Sequence, residues 1–130
     1  MQADVEALSE SLVAEVFKAL GLSETGRARR ALGPLFRKAT RRLAQIGIAF
    51  GRLCESEGFP KAAEWALAHW CRGIRARGTD GVPASGPLLV VSNHVGTYDA
   101  LVIATHLKRD DIRIFASNIP FLMNLPRVSR

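Results

Sequence analysis

From Ala3 to Leu20 the apolar residues Val5, Leu8, Leu12, Val16 and Leu20 recur at spacings of three and four. That period lays one stripe along one face of a helix, so the first element is expected to be helical, with Gly21 as its stop. Ser23 is a candidate cap for a second helix, whose apolar positions are Leu32, Leu35, Phe36, Ala39, Leu43, Ile46, Phe50 and Leu53. Gly33-Pro34 falls inside this pattern. A proline there removes a backbone donor and crowds the preceding turn, so a break or kink is expected. Gly47 and Gly51 stand four apart among apolar neighbours, a spacing that suits tight helix packing. A third helix is expected from Lys61 to Arg77, with Ala62, Trp65, Ala66, Ala68 and Ile74 on its apolar side. Phe59, Trp65 and Trp70 are expected in its core, with a membrane-facing surface as the alternative.

The pattern then changes. Gly78 to Pro87 has the glycine and proline density of a connection. Beyond it, Leu88-Leu89-Val90-Val91 predicts a buried strand, Ala100–Leu107 a helix, and Ile112-Arg113-Ile114-Phe115 a second strand. One β-α-β unit opening an α/β sheet is the expectation. The apolar, proline-bounded stretch from Ile119 to Pro126 is expected as a short helix in core packing. The chain therefore reads as a helical region, residues 1–78, followed by the start of an α/β domain, residues 79–130.

Charge adds a surface to this picture. The chain carries a formal charge of +6, and Arg27, Arg29, Arg30, Arg37, Lys38, Arg41 and Arg42 stand together with no acid among them. Such a run attracts anions, either lipid headgroups or nucleic acid, unless it is only a solvated helix face. No helix-turn-helix, zinc spacing or aromatic-basic RNA motif accompanies it, so a nucleic-acid partner is not expected. Met1 to Glu10 has three acids and no base, the wrong sign for a signal or transit peptide. No stretch approaches the roughly 20 apolar residues that span a bilayer, so a membrane contact is expected to be peripheral. Cys54 and Cys71 are too far apart for a C-x-x-C pair and are expected as reduced core thiols of a cytoplasmic protein.

The candidate chemistry lies at Asn93-His94-Val95-Gly96-Thr97-Tyr98-Asp99, after the first expected strand and at the opening of a helix. A carboxylate within reach of one ring nitrogen fixes a histidine tautomer and stabilises the imidazolium. The other nitrogen is then left to take a proton from a hydroxyl. The spacing alone is cheap, with about 0.1 chance matches expected in a chain of this composition. It nevertheless occurs twice, because His106 and Asp111 repeat it. That second pair sits in a charged segment at a helix end with no strand before it, and is read as coincidence. The alternative for His94 and Asp99 is a plain structural role, capping the helix and bonding its turn.

Residues 87–100, Pro-Leu-Leu-Val-Val-Ser-Asn-His-Val-Gly-Thr-Tyr-Asp-Ala, resemble the first motif of the glycerophosphate and lysophosphatidate acyltransferases, a histidine and an aspartate separated by four residues. The resemblance extends from Gly81 to about Pro126, and the upstream helices are similar in kind to those these enzymes place against a membrane. It implies an α/β acyltransferase domain of phospholipid biosynthesis, peripheral on the cytoplasmic membrane face. By the same resemblance His94 is the general base and Asp99 its orienting partner. The acyl donor is a thioester of coenzyme A or of acyl carrier protein, and the acceptor is a glycerol phosphate or lysophospholipid hydroxyl. No metal or redox cofactor is implied. The family's later arginine, Glu-Gly-Thr and proline motifs do not occur in the chain, and Arg127 and Arg130 are not assigned to them, so an incomplete catalytic domain is expected. The alternative is an inactive fragment acting as a membrane-binding or partner-binding helical module.

Overall fold

The computed structural model describes residues 2–23, 26–93, 96, 98–116, 123 and 125. Among the described residues four α-helices can be delimited, α1 Gln2–Ala19, α2 Arg27–Glu57, α3 Phe59–Leu67 and α4 Asp99–Leu107, with a 3-10 turn at Thr79–Gly81. The chain divides into two compact units, Met1–Gly51 with Ser117–Arg130, and Arg52–Ala116.

In the first unit α1 meets the part of α2 up to Gly51 through side chains. The Gly21 stop forms as expected. Gly21 takes φ +67°, its N–H donates to Lys18 O, and Leu22 N–H donates to Phe17 O. These are the two hydrogen bonds of a Schellman motif, which needs a left-handed residue after the helix. The buried stripe of α1 is wider than its period indicates. Leu8 and Leu12 are buried, but so are Ser9, Val13 and Phe17, while Leu20 is exposed. Leu8 and Leu12 pack with Ala44, Ile48 and Leu125, with Val5 at the edge. The Ser9 and Thr40 hydroxyls share a buried hydrogen bond of 2.9 Å, and the Phe17 ring meets Phe36 edge-on at 6.0 Å.

Pro34 does not break α2, which runs for 31 residues through it. The missing donor costs one hydrogen bond near the first turns, and the Pro34 ring faces solvent. Gly47 and Gly51 are both buried, as tight packing requires. Leu32, Leu35 and Leu43, expected on a buried stripe, are exposed instead. The buried side of α2 is built from Gly33, Thr40, Ala44, Gly47, Ile48, Phe50 and Gly51. Small residues there let a neighbour approach, so they rather than the leucines take the interior.

In the second unit α3 packs on α4. Gly58 at φ +86° makes the corner between α2 and α3, and Pro60 follows in the first turn, where its missing N–H is harmless. The expected helix to Arg77 stops at Leu67. His69 N–H donates to Ala66 O and Trp70 N–H to Leu67 O, tightened bonds that close the last turn. Ala62, Ala63, Ala66 and Leu67 form the buried face of α3. Phe59 and Trp65 are half-buried and Trp70 is exposed.

The expectation of an α/β sheet is overturned. Among the described residues there is no strand, and both β-prone runs lie outside regular structure. Leu89, Val91 and Phe115 are almost fully exposed, so neither run is buried. Two four-residue runs are too few to hold a sheet, which needs about three strands with a shared apolar face. β-Branched composition supplies propensity, and the ladder partners that would convert it to a strand are not among the described residues.

Candidate functional site

His94 lies outside the described residues, as do Val95 and Thr97. Asp99 is described and begins α4. Its Oδ2 accepts the Gly96 backbone N–H at 2.9 Å, and its own N–H donates back to Gly96 O at 3.4 Å. This reach across three residues satisfies a backbone donor of the turn before α4 and puts a negative group at the positive end of the helix. The approach is close at Gly96. A Cβ built there would stand 3.3 Å from Asp99 Oδ1.

Tyr98 occupies the cap position of α4 without a side-chain cap bond. Its ring is instead fixed by stacking on Trp70, centroids 4.8 Å apart and planes 12° from parallel. Trp70 continues to His69 at 6.2 Å, and His69 to Trp65 at 4.5 Å. The His69 Nδ1–H donates to Trp65 O at 2.9 Å, which orients that ring. A row of four rings thus ties the end of α3 to the turn that carries Asp99. Sequence reading registered these tryptophans as core or membrane residues and missed their link to Tyr98, because nothing in their spacing pairs Trp70 with a residue 28 positions away.

The second histidine–aspartate pair does not form. His106 Nδ1 lies 2.8 Å from Val102 O, an acceptor only, so this nitrogen carries the proton. The Thr105 hydroxyl donates to the same carbonyl at 2.8 Å. Asp111 is engaged with Arg109, whose Nε and Nη2 donate to its two oxygens at 2.8 and 2.6 Å. That bidentate bond holds the Asp111 carboxyl below the ordinary carboxylate range. His106 instead borders an open groove of about 300 Å³ between α3 and α4, lined also by Leu67, Cys71, Arg72, Ile74 and Thr105.

Arg109 is a further residue that sequence reading passed over. Its side chain is only 9% exposed, and besides Asp111 it donates to Gly86 O at 2.8 Å and Pro83 O at 3.3 Å. It therefore clasps the connection before Leu88 to the segment after α4. Cys54 and Cys71 are free and half-buried, neither being fully in the core. Burial pushes the Cys54 thiol up to about 11, so it is protonated at neutral pH and a poor nucleophile. Among the described residues no cluster of His, Cys, Asp and Glu has the makeup of a metal site.

The Asp99 carboxylate is held by Gly96, five positions after His94 in the sequence. Comparison with family models, with curated proteins and with solved structures finds no match, so the acyltransferase resemblance rests on the residues at 87–100 themselves.

Proposed function

We propose that the chain takes part in O-acyl transfer to a glycerol phosphate or lysophospholipid hydroxyl at the cytoplasmic face of a membrane. The observation that supports this reading is the placement of Asp99, pinned by the Gly96 N–H at the start of α4, five positions after His94. A carboxylate that orients a histidine must itself be held, and this one is.

In the proposed step His94 takes the proton of the acceptor hydroxyl as that oxygen attacks the thioester carbonyl. The C–O bond forms, the C–S bond breaks, and the proton passes from His94 to the departing thiolate, giving an ester and a free thiol. Asp99 favours the imidazolium between these two transfers. The thioester of coenzyme A or of acyl carrier protein supplies the acyl group.

The experiment is release of free thiol from palmitoyl-coenzyme A and from palmitoyl-acyl carrier protein, with glycerol 3-phosphate or lysophosphatidate as acceptor. His94→Ala is expected to abolish release and His106→Ala to leave most of it. No release with any pair of substrates, or equal loss in both variants with folding intact, overturns the reading. The all-helical architecture of the described residues favours a second reading, a non-catalytic helical binding module. Under that reading thiol release is absent while membrane or partner binding persists.

A further inference from the structure

The cations of α2 from Arg27 to Arg42 fall into two sets. Arg29 pairs with Glu10 at 2.7 Å, Arg37 with Glu10 at 3.9 Å and Arg41 with Glu6 at 3.8 Å, so these three are answered by α1. Arg27, Arg30, Lys38 and Arg42 are exposed and have no ion-pair partner among the described residues. From Gly26 to Cys54 the chain contains no acid at all.

Beside this second set runs a second apolar stripe. Leu32, Leu35, Ala39 and Leu43 follow one another at spacings of three, four and four, and every one is exposed, Leu35 at 73%. At about 100° per residue this stripe lies roughly 120° round the helix from the buried face at Thr40 and Ala44, with Lys38 and Arg42 along its edge. A helix normally has one reason to carry an apolar stripe, its own core. This helix has a core stripe and another turned to solvent.

We propose that this solvent face is where the chain lies on an anionic lipid bilayer, with α2 parallel to the surface. Leu32, Leu35 and Leu43 enter the acyl-chain boundary, while Arg27, Lys38 and Arg42 meet headgroup phosphates. A bilayer answers both features at once. Nucleic acid would engage the cations and leave the leucines in water, and a second copy of the same face would bring like charges together. No described helix is long and apolar enough to cross a membrane, so contact in the plane is the geometry left for α2. The inference uses none of residues 93–99, and it stands or falls apart from acyl transfer.

The test is flotation of the whole chain with vesicles of phosphatidylcholine, alone or mixed with phosphatidylglycerol. Binding is expected to the mixed vesicles only, and to weaken as salt is raised. Leu35→Asp is expected to reduce it at least tenfold, and Lys38→Ala or Arg42→Ala about fivefold each. Arg77→Ala, an equal loss of charge elsewhere, and His94→Ala are expected to bind like the wild type. Leu35, Lys38, Arg42 and Arg77 are exposed, and circular dichroism verifies the fold of each variant. Undiminished binding by Leu35→Asp overturns the proposal. So does preferential capture of a DNA duplex in competition with mixed vesicles, or a concentration-dependent dimer that Leu35→Asp dissolves without any vesicle binding.

Discussion

The Trp70 indole lies face to face with the Tyr98 ring, 4.8 Å between centroids, and this contact holds the cap residue of α4 that precedes Asp99. Stacked aromatic pairs contribute about 1 kcal/mol beyond the area they bury. Trp70→Ala is therefore expected to lower stability by at least that amount, since it also gives up the area the indole buries, and Trp70→Phe to keep most of it. Urea denaturation measures both, and equal midpoints for the two variants would show that ring stacking adds nothing at this position.

Gly96→Ala separates stability from site geometry. The new methyl would stand 3.3 Å from Asp99 Oδ1, so the carboxylate must swing by a few tenths of an ångström. Stability is expected to change by less than about 1 kcal/mol, since the turn is exposed. Thiol release is expected to fall toward the level of Asp99→Asn. Wild-type release from Gly96→Ala would mean that the Asp99 position is not used.

Lys108 ends α4 at φ 50°, a left-handed conformation that strains a side chain. Glycine adopts it freely. Lys108→Gly is expected to raise stability by about 1 kcal/mol and to leave vesicle binding unchanged. A lower melting temperature than the wild type would show that the lysine side chain makes a contact worth more than the strain.

The Arg109–Asp111 pair makes an acid limb. Asp111 binds its proton less readily in the folded chain than in the unfolded one, because the guanidinium bonds its charged form. Its contribution is fully present above the unfolded aspartate range near pH 4, and is lost as pH falls through the lower folded value. Asp111→Asn is expected to melt below the wild type at neutral pH, the gap closing as pH drops below the ordinary carboxylate range. A gap that stays constant with pH would assign the effect to packing.

The helices were legible where period and punctuation agree. Gly21 supplies a left-handed stop to α1, and the start of α4 at Asp99 falls one residue from the expected Ala100. Period alone failed on α2. Its residues carry two apolar stripes, and a repeat of three and four cannot tell which is buried. Glycine, alanine and threonine on the other face marked the interior through closeness of approach, which hydropathy undervalues. The runs at Leu88 and Ile112 have strand composition, yet a strand is a relation between segments. At the candidate site, sequence spacing pointed to Asp99 together with His94, and His94 lies outside the described residues. The Trp70 stack and the Arg109 bonds to Pro83 O and Gly86 O were not legible, because a backbone carbonyl is offered by every residue alike.

Arg109 also bears on how the second unit comes apart. By gripping Pro83 and Gly86 from beyond α4, one guanidinium closes the stretch from Pro83 to Arg109 into a loop with its ends at a single point. A protease that cuts the exposed run Leu88–Val91 would thus nick a tied loop, and the two pieces would stay together under native conditions, with α4 still packed on α3, until acid or denaturant released the knot.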